Sequence, residues 1–184
     1  MKYFIGFLVT IGLLILLIVL LVTHHGGKPS SVTPLVSYAN TGTVVRETID
    51  GPINAPQDHR QVQITVGRDN TTFEVLQGYD NDPINTQVFP MTESAYDNFL
   101  HALQLAGYQK GNTSSSLKDD TGYCSLGNRY IFEIVNSGQS IQRYWTTSCG
   151  GGVPHSFNGN TSLVLELFQK QVPGYFTLTQ NVDL

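Results

Sequence analysis

A 19-residue apolar run near the start of the chain is the feature that most limits what this sequence can fold into. Residues 4–22 (FIGFLVTIGLLILLIVLLV) contain no charged side chain and only one polar side chain, Thr10. As an α-helix the run is about 28 Å long, close to the thickness of the hydrocarbon core of a bilayer. Its apolar residues cover every face of that helix, and the rest of a 184-residue chain offers no core large enough to surround it. The run therefore predicts a transmembrane helix, with the lipid bilayer as its partner.

The residues that flank this run predict its orientation. Lys2 and the terminal amine favour a cytoplasmic N-terminus, so we expect residues 1–3 in the cytoplasm and the bulk of the chain on the extracytoplasmic side. The run is longer than the apolar part of a typical signal peptide and ends in VLLVTHHGG, which lacks a small-x-small cleavage site. An uncleaved, single-pass signal anchor is the main interpretation, and secretion after signal cleavage is the alternative. A pilin-type N-terminal helix fits less well, because the run lacks an acidic residue and HHGGKPSSVTP breaks the helix directly after it.

The rest of the sequence divides into a spacer and a globular domain. Residues 23–42 are rich in Gly, Pro, Ser and Thr, a composition that predicts a flexible tether. Residues 43–184 are expected to form the extracytoplasmic domain, which is the right size for a single core.

Hydrophobic periodicity predicts the elements of this domain. Apolar residues alternate with polar ones in six short segments, which predict strands at residues 44–49, 61–66, 72–76, 129–135, 140–147 and, as an edge strand, 175–182. Helical spacing predicts helices at residues 91–107 and 162–171, with Thr92 and either Asn160 or Ser162 as N-caps and Gly107 after the first helix. The order of these elements predicts an α+β fold, in which two hairpins form an antiparallel sheet with two packed helices.

Two cysteines flank the second predicted hairpin. Cys124 precedes its first strand and Cys149 follows its second strand. With a two-residue turn at 137–138, the two cysteines lie within two residues of facing each other. Export across a membrane would place them in an oxidising compartment. We therefore expect a Cys124–Cys149 disulfide, which is worth about 3.5 kcal/mol in the chain-entropy model.

The sequence contains no motif that specifies a chemistry. The formal charge of −4 gives no electrostatic basis for binding nucleic acid. No spacing of His, Cys, Asp or Glu indicates a metal ligand set, and the glycines do not match a phosphate-binding fingerprint, so we predict neither a metal nor a cofactor. The prediction is a non-enzymatic binding or interaction module for a protein partner or a cell-surface ligand.

The candidate binding residues lie on and after the second hairpin. Tyr144 and Trp145 are neighbours on a strand, so one of them should face outward beside Arg143 and act as a recognition anchor. Packing of Trp145 beside the disulfide is the alternative interpretation. His155 follows in the glycine-rich segment after Cys149 and is the weakest candidate.

Two other functions remain open. In the first, the disulfide holds the segment 150–157 in a fixed shape that fills the cleft of a peptidase or hydrolase, as an inhibitor does. In the second, Cys149 is a thiol nucleophile with His155 as its base. The second function requires a free thiol, so the predicted disulfide argues against it.

Overall fold

Six antiparallel strands form one sheet in the computed structural model, which describes residues 33–39 and 42–184. Their spatial order is β4-β3-β2-β1-β5-β6, so β1 joins the first four strands to the hairpin β5–β6. The predicted α+β fold with an antiparallel sheet is confirmed. The strands are β1 (Thr43–Asp50), β2 (Arg60–Val66), β3 (Asn70–Gln77), β4 (Asp82–Pro90), β5 (Arg129–Asn136) and β6 (Gln139–Thr147).

The described residues contain three α-helices, one after β4 and two after β6. They are α1 (Glu93–Ala106), α2 (Thr161–Gln169) and α3 (Tyr175–Thr179). The predicted caps are confirmed, because Thr92 accepts a hydrogen bond from the main-chain N–H of Ala95 and Gly107 adopts the left-handed conformation after α1. Asn160 caps α2 in the same way, accepting from Leu163.

The two faces of the sheet differ in polarity. The face that the helices cover carries the core, with residues such as Val45, Ile64, Phe73 and Phe132 fully buried. The opposite face of the central strands is polar, and its side chains bond across strands, as Arg46 does with Thr65. Because one face of the sheet is buried and the other is exposed to solvent, apolar and polar residues alternate along the strands, and this alternation predicts them.

The structure differs from the sequence prediction in two segments. The strand β4 is not predicted, because it is an exposed edge strand with a proline at 83 and another at 90, and it lacks apolar alternation. The predicted edge strand 175–182 is wrong, since Tyr175–Thr179 is helical. Tyr175 is buried and Leu178 partly buried, a spacing that also fits one face of a helix.

The folded domain begins before the predicted boundary at residue 43. Leu35–Tyr38, which the composition assigns to the tether, forms a 3₁₀ helix. Leu35 is fully buried in the core, and its main-chain N–H donates to the Gln104 side chain at 3.0 Å. The predicted N-terminus 1–3, the predicted transmembrane helix 4–22 and residues 23–32 of the predicted tether lie outside the described residues. Within the described part of the chain, no helix has the length and hydropathy needed to cross a bilayer.

Candidate binding groove on the second hairpin

Trp145 is fully buried, so it is not an exposed recognition anchor. Its indole stacks on the ring of Tyr123, with ring centroids 5.2 Å apart. The indole N–H donates to the main-chain oxygen of Leu117 at 2.7 Å. Trp145 faces away from the helices, and the segment 112–128 folds over it on that side of the sheet. Packing near the disulfide-bonded segment, the alternative interpretation, is what the structure shows.

Tyr144 points to the opposite face of the sheet and is also buried. The main chain of Gly111 lies directly against its ring, because a Cβ atom built at Gly111 would fall 2.3 Å from two ring carbons. Only glycine leaves room for this approach. The expectation that one of the two aromatic residues faces solvent is therefore wrong, since different parts of the preceding loop cover both.

Arg143 is half-buried, and its charge is balanced by a short ionic chain. Its guanidinium donates to the carboxylate of Asp120 and, at 3.2 Å, to the main-chain oxygen of Lys118. Asp120 also lies 3.5 Å from Nε of Arg129, which in turn donates two hydrogen bonds to Asp50. These contacts tie the segment 112–128 to the start of β5 and the end of β1.

His59 ends this ionic chain in a fully buried position. Its Nε2 lies 2.9 Å from Asp50 and its Nδ1 lies 3.0 Å from the main-chain oxygen of Pro52. The ring of Tyr79 stacks on it with centroids 4.3 Å apart. Because solvent does not reach the imidazole, the ionic chain fixes loops at this end of the sheet and does not present a reactive group.

Sequence reasoning does not identify this ionic chain. Asp50 and Arg129 face each other across β1 and β5, but 79 positions separate them in the sequence. The only local signal is the turn sequence that begins at Asp50, which marks the end of a strand and gives no indication of its partner.

A groove lies between β6 and the segment 112–118. Its volume is about 510 Å³, within the range of ligand-binding clefts. Tyr144 and Leu117 contribute apolar surface, and Ile141 lies in its wall with half of its surface exposed. Hydroxyl and amide side chains complete the walls. Of the four predicted binding residues, Arg143 and Tyr144 line this groove, whereas Trp145 and His155 do not.

Opposite charges are nearly balanced around the groove. Lys118 and Arg143 provide two cations, and Asp119 and Asp120 provide two anions. Hydrogen bonds from Thr121, assisted by the charge of Arg143, hold the pKa of the Asp119 carboxyl below its usual value. Asp119 is therefore ionised at neutral pH, and the groove favours neither a strongly acidic nor a strongly basic ligand.

The outer edge of β6 is occupied at Trp145 and open further along the strand. The main-chain oxygen of Trp145 accepts hydrogen bonds from the N–H groups of Ser156 (3.0 Å) and Phe157 (2.9 Å), and its own N–H donates to Ser156. Main-chain directions alternate along a strand, so the N–H and C=O of Arg143 point outward too. Arg143 is also one of the residues that line the groove, so we infer that these groups border it.

The Cys124–Cys149 disulfide is confirmed, with the two Cα atoms 5.7 Å apart. Since the chain contains only these two cysteines, no free thiol remains. The alternative function with Cys149 as a nucleophile is therefore contradicted by this structure. His155 is exposed, and its Nδ1 lies 3.2 Å from the main-chain oxygen of Val153.

The part of the chain that the structure describes contains no cluster of three or more His, Cys, Asp or Glu side chains that could hold a metal ion. The comparisons with family models, curated proteins and solved structures give no match. Any functional interpretation of this chain therefore depends on its own residues.

Proposed function

We propose that the domain is a non-catalytic binding module that takes up a short, extended segment of a partner polypeptide in the groove beside β6. One inference from strand geometry carries the proposal: Arg143 lines the groove, and its main-chain N–H and C=O point outward from the sheet. At Trp145, one step along the same edge, the chain's own Ser156 and Phe157 bind the equivalent groups. At Trp145 the N–H donates to the Ser156 hydroxyl and the C=O accepts from two main-chain N–H groups. A partner would bind the equivalent groups of Arg143 with its own main chain, as in recognition by strand addition.

The two edges of the sheet support the choice of β6. The other edge strand, β4, carries Pro83 and Pro90, which cannot donate to an added strand. Proline is one of the means by which proteins protect edge strands from pairing. The strand β6 contains no proline, and the groove beside Ile141 adds space for one or two side chains of the partner.

The open stretch of β6 is short, which limits the size of the bound segment. Ile134 pairs with Gln142 and Val135 pairs with Ser140, so Ile141 is an extra, unpaired residue near the start of β6. Such a bulge interrupts regular pairing. We therefore expect a bound segment of a few residues that combines one main-chain bridge with an apolar side chain in the groove.

The proposed location follows from the sequence. We propose that residues 4–22 anchor the chain in a membrane as a single-pass helix, with the binding domain on the extracytoplasmic side. The disulfide supports this location, because such bonds persist in oxidising compartments. Secretion after signal cleavage is the alternative. Alkaline extraction of membranes tests the anchor: the full chain should stay in the pellet, and its appearance in the supernatant would contradict the proposal.

Peptide selection tests the binding function. The full chain would be used to select from a display library of random heptapeptides, and the enriched sequences would be synthesised and titrated by calorimetry. Ile141→Glu places a charge in the groove, whereas Leu105→Glu places the same charge on an exposed leucine of α1. We expect Ile141→Glu to weaken binding about 10-fold or more and Leu105→Glu to leave it unchanged. Equal effects of the two variants, or binding of glycans only, would contradict the proposal.

An inhibitor remains the second candidate, because the segment 150–155 is fixed at both ends. Cys149 holds one end through the disulfide, and the buried Ser156 and Phe157 hold the other. Most residues between these points are exposed. Inhibition of serine and cysteine peptidases by the full chain, weakened by His155→Ala, would support this candidate. Cleavage of the segment without inhibition would contradict it.

A further inference from the structure

Glu47 occupies an unusual position for a carboxyl group. It lies near the middle of β1, between Ile64 of β2 and Phe132 of β5, on the sheet face that the helices cover. The residue is 1% exposed. Within the described residues neither carboxyl oxygen has a hydrogen-bond partner, and no ion pair includes Glu47. An unpaired buried carboxyl costs free energy that a leucine at the same place would not, so the fold alone does not account for it.

A cleft lies between α2 and α3 on the same side of the sheet. Its volume is about 600 Å³, and its surface is mostly apolar, with Val172, Tyr175 and Phe176 among the lining residues. Phe176 is largely exposed beside the cleft. A cleft of this size fits a small organic molecule.

Tyr175 connects the cleft with the surroundings of Glu47. It lines the cleft, and its buried ring packs edge-on against Phe73 of β3, with centroids 6.2 Å apart. Burial, followed by the nearby charge of Glu47, raises the pKa of Tyr175 to about 12. The Tyr175 side chain also hydrogen-bonds to Gln169, another residue of the cleft.

The element that carries Tyr175 is suited to a small movement. The helix α3 has only five residues and starts after Gly174, which has a φ of 74°. A ligand in the cleft would reach Glu47 only if α3 shifted and the Tyr175 ring turned aside, and a short element next to a glycine is among those that open locally at low free-energy cost.

We propose that this cleft binds a small organic ammonium ion with an apolar body, and that Glu47 is its counter-ion. The apolar body would contact Val172 and Phe176, and the ammonium would donate to both oxygens of Glu47, which have no donor among the residues that the structure describes. Burial keeps the pKa of Glu47 well above its usual value. Glu47 would therefore release its proton to solvent when the cation arrives. The site is separate from the groove on β6 and does not depend on the function proposed for that groove.

A second carboxylate allows a matched control. Glu166 lies in the rim of the cleft, but it is exposed and already paired with Lys170 at 2.6 Å. An ammonium attracted only by surface charge would depend on Glu166. An ammonium held in the proposed way would depend on Glu47 instead.

Calorimetric titration of the full chain with benzylamine, and with benzyl alcohol as the neutral analogue, tests the proposal. We expect benzylamine to bind with a dissociation constant below about 10 mM, Glu47→Gln to weaken it about 10-fold or more, and Glu166→Gln to leave it unchanged. Benzyl alcohol should bind the parent chain and Glu47→Gln equally. Near-ultraviolet circular dichroism shows whether Glu47→Gln retains the fold.

Proton linkage provides a second measurement on the parent chain, independent of any variant. Titrations at a series of pH values above about 4.5 in buffers of different ionisation enthalpy should show net release of protons when benzylamine binds. No binding below about 10 mM would overturn the proposal, as would binding without proton release or binding lost in Glu166→Gln but not in Glu47→Gln.

Discussion

The Nε2 atom of His59 lies 2.9 Å from Oδ1 of Asp50, while Oδ2 of the same carboxylate accepts hydrogen bonds from Nε and Nη2 of Arg129 at 2.9 and 2.6 Å. His59 and Arg129 are both buried. One carboxylate therefore fixes two nitrogen-bearing side chains, one directly before β2 and one at the start of β5, at the end of the sheet where the disulfide and the segment 112–128 meet. The ionic chain continues through Asp120 to Arg143, so it also supports the groove.

Asp50→Asn should strongly destabilise the domain. Removing this charge leaves the Arg129 guanidinium buried with only Asp120, at 3.5 Å, as a counter-ion. Breaking a buried ion pair from one side costs about 3–5 kcal/mol. Urea unfolding measures the loss. The control is Asp58→Asn at an exposed position, which should change the free energy of unfolding by about 0.5 kcal/mol or less. Equal effects would show that the pairing contributes little.

Gly111→Ala should destabilise the domain and narrow the groove. The added methyl group would overlap the ring of Tyr144, which cannot move easily because it is buried in the core. Overpacking of this kind costs about 1–3 kcal/mol. Gly151→Ala is the matched control, since a Cβ atom there meets nothing within 4 Å. Thermal unfolding compares the two variants, and an unchanged melting temperature for Gly111→Ala would contradict the close packing of Gly111 against Tyr144.

Replacing both cysteines by serine should lower the free energy of unfolding by about 3.5 kcal/mol, because the unfolded chain gains the entropy of an open loop. Reductant should lower the melting temperature of the parent chain and leave that of the double variant unchanged. A thiol titration of the unfolded, unreduced protein should detect no free thiol. Two free thiols in protein taken from its native membrane would contradict both the bond and the proposed location.

Glu47 should make the stability of the domain fall as pH rises. The carboxyl ionises near its usual value of 4.5 in the unfolded chain but at a higher pH in the folded chain, because burial raises its pKa. The unfolded state therefore loses this proton first and is favoured increasingly above about pH 4.5. Glu47→Gln should remove this part of the slope and be more stable than the parent chain at neutral pH. Glu74→Gln, on the polar face of β3, should retain the slope.

A Glu47→Gln variant that shows the slope of the parent chain would contradict this assignment. Chemical unfolding at a series of pH values, with m-values compared between variants, separates the effect from a change in the denatured state.

Local patterns predict the elements whose signals lie in consecutive residues. The caps of α1 and the two-residue turn of the second hairpin are of this kind. The register that follows from the turn is confirmed at Asn136↔Gln139 and Val135↔Ser140, and then shifts by one residue at the bulge. The offset does not prevent the disulfide, because Asn128 and Ser148 exchange two hydrogen bonds that hold the flanking segments together, and Gly127 leaves room beside both sulfurs.

The elements that depend on distant contacts are not predictable in this way. The strand β4 has no apolar face of its own and exists because β3 pairs with it. The burial of Trp145 depends on the segment 112–128, and nothing in the residues next to Trp145 shows that this segment covers it. Arg143 and Tyr144 line a groove only because the segment 112–118 forms its other wall. Their neighbours in the sequence do not indicate that this segment lies beside them.

The Cys124–Cys149 bond has a consequence for where the proposed binding module could operate. The bond holds the segment 112–128, which also covers Trp145 and contributes Leu117 and Lys118 to the wall of the groove. Reduction by a cytosolic thiol pool would leave this segment held only by its non-covalent contacts, such as the pairing of Asp120 with Arg143. The proposed binding site would therefore be most rigid in an oxidising compartment.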